Sequence, residues 1–510
     1  MGRTNDRPRA EGASAPRVLL VDPYLAREDP MERKSVELYP SLGILNLAAF
    51  LRDHGAQVQV TDLTFARSAR PVGNATRSFR PHIVGVHTKS LTYPRAVEIA
   101  AMAREGPALA VAGGPDAATR PELYLDSGFD VVVTGEGEVT LAELARKVAD
   151  GASTADIPGT VVRSGGSLHR NPSRPFLQDL DALPLPAWDL VDMEGYLHRW
   201  EQRTGERRAA LLTSRGCPFD CSWCSKPAFG RSFRQQSPGR VLDEVEALVK
   251  RYRVDYLRFC DDVFGIQRRW LEELLDGLEA RQLHLKFECL ARVDLLKPDL
   301  LARMRRAGLE RVYLGVESGS QKMLDVMNRG TRLAQVESIA QALRREKVRQ
   351  FWFLMLGYPG ETLEDIEATL RLFRRFSPEE YSVSIAVPIP GTRFYESVRD
   401  RLRGVRARSR KGGVSLLYEA AYPQSLYRWE QYRFDWSAHV QRLRGRLDPS
   451  VLAELESAAD RFHARVAEPL LLGTRVPAPR RRESPGRRSL RLPPRLDALR
   501  AQLARQRPFR

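Results

Sequence analysis

The sequence predicts an α/β protein made of two consecutive units and a small C-terminal region. The first unit is a doubly wound, Rossmann-like parallel sheet, and the second is a partial (β/α)6 barrel of TIM type. Three observations carry this. Short β-branched runs alternate with amphipathic helical stretches over most of the chain. The alternation pauses at a proline-containing connector, Leu183-Pro184-Leu185-Pro186-Ala187-Trp188, and then restarts. Finally, 510 residues are more than one core sustains, since single cores stop growing at about 250–300 residues.

Apolar residues make up 43% of the chain and charged residues 28%, which rules out wholesale disorder. No run of 18 apolar residues occurs, so no membrane-spanning helix is expected. The first sixteen residues carry charge and no apolar stretch, so no secretory signal is expected and a reducing, cytoplasmic location follows. The net charge of +17 is unevenly placed. From Arg475 to Arg510 there are twelve arginines and two acids, a net +10, and the rest of the chain holds +7. This proline-containing arm lacks interleaved aromatics. It reads as a flexible tail, and a nucleic-acid partner is not expected from it.

In the first unit, strands are expected at 18–21, 58–60, 83–86, 109–112 and 131–133, with helices such as 42–54 and 95–104 between them. Ligands on such sheets sit at the carboxyl ends of the strands. Those ends are Asp22-Pro23, His87-Thr88, Gly113-Gly114-Pro115 and Gly135-Glu136-Gly137-Glu138. A dinucleotide site would place G-x-G-x-x-G after the first strand. The stretch Val21 to Arg27 holds no glycine, so that reading is rejected. A hairpin is expected within 160–170. In the second unit, strands are expected at 209–214, 256–261, 286–291, 311–317, 350–357 and 382–388, with helices at 238–252, 267–281, 298–307, 333–346 and 363–376. The resulting plan is an unstructured 1–16, a first unit 17–150, a linker 151–205, a partial barrel 206–400, a mostly helical 401–472 and a basic flexible tail 473–510.

Cys217, Cys221 and Cys224 stand as C-x3-C-x2-C just after the first strand of the second unit. Three thiolates on one loop suit a soft-metal centre, zinc or iron–sulfur. Structural zinc wants four ligands, and the remaining candidates are Cys260 and Cys289 on later strands and His198 upstream. Three ligands without a fourth suit a [4Fe–4S] cluster with one open iron. Three buried thiols are the plainer alternative.

With an aromatic, Trp223, before the last cysteine, this motif resembles the radical S-adenosylmethionine enzymes. That resemblance implies that Cys217, Cys221 and Cys224 bind the cluster and that S-adenosylmethionine chelates its fourth iron and yields a 5′-deoxyadenosyl radical. It further implies S-adenosylmethionine contacts from Phe219 and Trp223 in the loop, Asp261 and Asp262 after the second strand, Arg292 after the third, Glu317 and Ser318 after the fourth, and Leu356, Gly357 and Gly360 after the fifth. The first unit resembles the cobalamin-binding domain that precedes the barrel in one large subgroup. The cobalamin contacts implied are Tyr24, Ser41, Leu42, Gly43, His87, Thr88, Gly113, Gly114, Pro115, Gly135, Glu136, Gly137 and Glu138. Many cobalamin proteins carry D-x-H-x-x-G, whose histidine ligates cobalt from below. Here the corresponding stretch reads Asp22, Tyr24, Arg27, so a lower face without a protein imidazole is expected; His87, at another strand end, is the alternative ligand, though a lone histidine there is more often structural. Residues 1–216 hold no cysteine and none follows Cys289, so one cluster is expected, and Cys260 and Cys289 are expected to be small buried hydrophobes.

The function so implied is a cobalamin-dependent radical methyltransferase acting on a carbon or phosphorus of a small-molecule, natural-product-type substrate, fed by an external low-potential electron donor of flavodoxin or ferredoxin type. The catalytic residues proper are not legible. A radical cyclase or rearrangement enzyme using cobalamin without methyl transfer is the alternative within the resemblance. An RNA-binding modification protein is the alternative outside it.

Overall fold

A computed structural model describes residues 15–29, 38–224, 229–403, 418–444 and 446–471. The basic tail 473–510 and residues 1–14 of the N-terminal segment, both assigned above, lie outside the described residues.

The first sheet runs β2-β1-β3-β4-β5-β6-β7. Its members are β1 (Arg17–Asp22), β2 (Gln57–Asp62), β3 (Ile83–His87), β4 (Leu109–Gly113), β5 (Val131–Val133), β6 (Thr160–Ser164) and β7 (Ser167–Arg170). The first five are parallel, whereas β6 and β7 are antiparallel. Strands covered on both faces read as continuous apolar runs, and the alternation within them sorts the core into two layers. Leu19, Val21, Val84, Val86, Ala110 and Ala112 pack on one face, and Val18, Leu20, Ile83, Val111 and Val133 on the other. Helices Leu42–Asp53 and Glu138–Ala149 cover the second face. The hairpin expected inside the connector is thus the antiparallel edge of this sheet.

From there the connector runs hydrogen-bonded to both halves. Leu177 N–H donates to Glu136 (2.7 Å) and Ala187 N–H to the Leu45 carbonyl (3.1 Å). The Leu177 carbonyl accepts from Arg234 (2.7 Å), the Leu183 carbonyl from Arg240 (3.0 Å), and Asp181 from Ser237 N–H (2.8 Å). Asp189 closes the run in a bidentate pair with Arg52 (2.7 and 3.0 Å).

The second sheet is built from β8 (Arg208–Leu211), β11 (Tyr256–Phe259), β12 (Lys286–Ala291), β13 (Leu309–Glu317), β14 (Arg349–Leu356) and β15 (Glu380–Ile385), after a two-stranded ribbon of β9 (Ser214–Arg215) and β10 (Arg234–Gln235). All six pair in parallel, in the order β15-β14-β13-β12-β11-β8. Alternate residues, among them Leu257, Phe259, Phe287, Cys289, Val312, Leu314, Trp352 and Leu354, join one large core with the flanking helices. Their neighbours on the opposite face are polar: Glu288 accepts from Arg311 (2.6 Å) and Tyr256 (2.9 Å). The first strand ends earlier than 214 because Ser214 and Arg215 leave the sheet to pair antiparallel with β10. In the region expected to be mostly helical, the aromatic-rich residues 424–436 belong to the helix Gln424–Arg442. Tyr427 and Phe434, seven apart and so on one helical face, enter the core, while Tyr432 and Trp436 face solvent.

Candidate active site

The cysteine loop is held by the strands beneath it. Asp261, just past β11, is fully buried, and its Oδ1 accepts from Thr213 N–H (3.0 Å), Thr213 Oγ1 (2.9 Å) and Ser214 Oγ. Burial raises its carboxyl to about 6, against these hydrogen bonds, and Oδ2 has no partner. Asp261 therefore braces the turn that launches the loop, while Asp262 is exposed. Gly216 has φ +82°, and a Cβ there would lie 1.8 Å from the Ser232 carbonyl oxygen, so no other residue fits. Cys217 is buried, Cys221 half-buried and Cys224 exposed.

Cys221 Sγ lies 3.6 Å from Arg292 Nη1 and 3.6 Å from Arg329 Nη1. The Arg292 guanidinium stacks 3.7 Å over the Phe219 ring and binds Asp294 (3.0 Å) and the Arg329 carbonyl (2.6 Å). Ser222 N–H donates to the Met327 carbonyl (3.0 Å), and its own carbonyl accepts from Phe394 N–H (2.9 Å). Trp223 packs beside a cluster that includes Met327, Tyr358 and Phe394. Two guanidinium groups within reach of one sulfur fix its place in the loop. Among the described residues no group of three His, Cys, Asp or Glu converges on a single metal ion.

The other strand ends share this edge. Glu317 closes β13 with φ +66°, a strained conformation that sites of function retain. Burial raises its carboxyl pKa, opposed by Arg329, 4.0 Å away, and by Arg292. Ser318 is a brace: its Oγ contacts Thr369 Oγ1 (3.1 Å) and accepts from Ser320 N–H (3.1 Å). After Leu356, Gly357 has φ +79°; its N–H donates to Glu361 (2.5 Å) and its carbonyl accepts from Tyr418. Gly360 follows with φ +84° and open space where a Cβ would stand. Burial pushes the Glu361 carboxyl up to about 8, so it is protonated at neutral pH.

Between the two units lies a cavity of about 560 Å³. Leu42, Gly43, His87, Gly113, Gly114, Pro115, Gly135, Glu136, Gly137 and Glu138 line it from the first sheet, and Leu212, Arg215, Phe229 and Cys260 from the second unit. Its lining is mostly apolar side chain and glycine backbone, a surface that fits a planar macrocycle such as a corrin. The remaining three residues assigned to cobalamin are not in the wall. Tyr24 turns its hydroxyl to Asp29 (3.0 Å), Thr88 Oγ1 donates to the Gly113 carbonyl (2.9 Å), and Ser41 Oγ sits 3.4 Å from His87 Nδ1. Burial, with Lys89 second, pulls the His87 imidazole down to about 3. A neutral imidazole thus faces the cavity, and Gly114 makes room for it: a Cβ there would lie 2.8 Å from His87 Cδ2.

Cysteine 260 corrects an expectation. Cys289 is fully buried in the core, but Cys260 is exposed and lines the cavity, because on β11 the even positions face away from the helices. Sequence reasoning also missed Arg329, Asp294, Arg215 and Arg234. Each is an arginine or aspartate in a loop or short ribbon, with no spacing signal to distinguish it.

Models of known families match two stretches of the chain: the B12 binding domain over residues 33–145 and the Radical SAM superfamily over residues 211–373. The chain belongs to the cobalamin-dependent radical S-adenosylmethionine enzymes. A [4Fe–4S] cluster, S-adenosylmethionine and cobalamin are the cofactors this membership brings. The chain is 29% identical over 389 residues, 74% of its length and 82% of the relative's, to an uncharacterized methyltransferase of Pyrococcus horikoshii. It is 31% identical over 304 residues to the anaerobic magnesium-protoporphyrin IX monomethyl ester cyclase of Cereibacter sphaeroides, covering 58% of this chain and 49% of that one. Its fold is similar to that of the radical S-adenosylmethionine methyltransferase TsrM of Kitasatospora setae, with a TM-score of 0.65 at 21% identity over 79% of each chain.

Proposed function

We propose that this enzyme is a methyltransferase that acts on a carbon or phosphorus of a small-molecule substrate. The observation that carries the reading is the cavity. One wall is the glycine-bearing end of the first sheet, and the other is formed by Leu212, Arg215, Phe229 and Cys260, next to the cysteine loop. A corrin bound there stands between the two units and faces the edge where the cluster and S-adenosylmethionine bind. When bound, the cluster and S-adenosylmethionine supply a carbon-centred radical and cobalamin supplies a methyl group.

The chain's own residues divide the work. Arg292 and Arg329 hold the Cys221 sulfur in place. Phe219, Trp223, Asp262, Glu317, Gly357 and Gly360 form the surface offered to S-adenosylmethionine, with Asp261, Arg292, Ser318 and the core-buried Leu356 holding that surface from behind. His87 stays neutral, and the wall's charged Glu136, Glu138 and Arg215 are paired with one another. An external one-electron donor of flavodoxin or ferredoxin type is the partner such a cluster requires, and a cytoplasmic location accords with it. Among the described residues, no helix is long and apolar enough to cross a membrane.

The test combines metabolite comparison of a deletion strain with assay of anaerobically reconstituted protein on the compounds that accumulate. The expected result is a methylated product with S-adenosylhomocysteine formed alongside deoxyadenosine. The likeness to the cyclase favours a second reading, ring closure without methyl transfer. A product with an unchanged carbon count and no S-adenosylhomocysteine establishes that one instead.

A further inference from the structure

Two short segments far apart in sequence meet in a buried ion cluster that the cofactor contacts do not explain. Arg215, in β9, donates from Nη1 to Glu136 Oε1 (2.8 Å) and from Nη2 to Glu138 Oε1 (2.6 Å). Arg234, its cross-strand partner in β10, donates from Nη1 to both oxygens of Glu136 (2.8 and 2.9 Å) and to the Leu177 carbonyl (2.7 Å). None of the four side chains is more than 8% exposed. Two positive and two negative charges balance. Burial opposes the Arg215 charge, but the two glutamates outweigh it and hold its pKa above the ordinary value. Both glutamates stand at the N-terminus of helix Glu138–Ala149, where the helix dipole favours an anion.

Burying four charges is expensive, and an apolar cluster of the same volume is often at least as stable. What ions add is direction. A guanidinium fork that grips two carboxylates fixes both distance and angle. The location of this fork matters as well. Residues 135–138 form part of the cavity wall, and Arg215 lines the same cavity. Arg215 is also two residues before Cys217, separated from it only by Gly216, whose backbone lies close against the Ser232 carbonyl. There is no slack between the arginine that grips the cavity and the first cysteine.

We propose that Arg215, Arg234, Glu136 and Glu138 are positioning residues that hold the corrin cavity at a fixed distance and angle from the cluster-binding cysteines. The inference rests on the functional reading above, since the spacing matters only when both cofactors are bound. Its test uses Arg215→Lys, which keeps the charge but cannot span two carboxylates, and Glu138→Gln, which keeps the shape. Pulsed electron paramagnetic resonance on loaded protein measures the distance distribution between cob(II)alamin and the reduced cluster. Hydrogen exchange on unloaded protein follows residues 135–138. In both variants the cofactor distance distribution is expected to broaden about twofold and exchange at the turn to quicken about tenfold, with iron content unchanged. A wild-type distribution and wild-type exchange in both variants overturn the proposal. Global unfolding of both also overturns it, leaving the cluster a purely structural role. If wild-type protein takes up no cobalamin, the functional reading fails by itself, and the exchange comparison still decides whether the clamp holds the turn.

Discussion

The two faces that meet at the cavity are built from opposite materials. The first-sheet face is mostly glycine backbone and aliphatic side chain, with Lys89 and the arginine-paired Glu136 and Glu138 as its charged groups, and its one titratable ring, His87, is held neutral. The edge of the second sheet is crowded with buried ionisable groups: Arg292 and Arg329 around Cys221, Asp261 under the turn, Glu317 in a left-handed conformation and Glu361 behind the Gly357 turn. A face that must accept a large flat ring works by shape and by the absence of side chains. An edge that must hold sulfurs, an ammonium and a carboxylate in register works by ionic and hydrogen-bonded scaffolding. Substitutions should therefore act by volume on one side and by charge on the other.

The sharpest break is replacement of Cys217, Cys221 and Cys224 together by Ala. Iron and sulfide content after anaerobic reconstitution should fall from about four each per chain to none, deoxyadenosine formation should vanish, and cobalamin uptake should persist. The next effect belongs to the other face. Gly114→Val places a side chain at φ +106° against His87 Cδ2 and the Thr88 backbone. Overpacking of this kind costs roughly 1–3 kcal/mol, so cobalamin affinity, read by ultraviolet–visible titration, should drop by about 10- to 100-fold while the cluster assembles normally. Tyr24→Phe, outside the cavity, should leave that affinity unchanged.

Charge substitutions on the second edge come third. Asp261→Asn weakens the brace on Thr213 and Ser214 and should lower thermal stability by about 1–3 kcal/mol. Asp262→Asn should leave stability alone and weaken S-adenosylmethionine binding. Equal thermal stability of the two variants in a melting experiment would show that Asp261 braces nothing.

The smallest effect is a pH dependence. Glu361 is protonated in the folded protein up to about 8 but ionises in the unfolded chain at the ordinary carboxylate value. Between those two values the unfolded state binds fewer protons, so stability falls as pH rises through that window and is flat below it. Glu361→Gln removes this component. The stability difference between wild type and variant should therefore shift steadily against the wild type from pH 5 to pH 8, measured by denaturant titration.

The parts legible in the sequence were those with a local signal. The strands of both sheets announce themselves by β-branched runs such as Val131–Val133, and the three cysteines by spacing within eight positions. The glycine ends of β4 and β5 were readable because a backbone-lined ligand face needs them. Contacts made over long separations were not legible. Arg329 reaches Cys221 across 108 positions, and Arg215 reaches Glu136 across 79. An arginine in a loop looks the same whether it is solvated or buried against a thiolate. Cys260 was misjudged because its run of residues resembles a strand interior, whereas burial there depends on which face of β11 each position takes.

The connector between the units, hydrogen-bonded to both along its length, changes what kind of object the protein is under stress. A two-domain chain joined by a loose tether melts in two steps and is nicked by proteases at the tether. Here the backbone of residues 177–187 is tied to Glu136, Leu45, Arg234 and Arg240, and the Asp189 carboxylate to Arg52. Opening it requires both sheets to give way together. The two halves should therefore share one cooperative calorimetric transition, and limited proteolysis should spare the connector. The protein then has no hinge at this point, and a substrate must enter through a side of the cavity, with the two units staying closed upon each other.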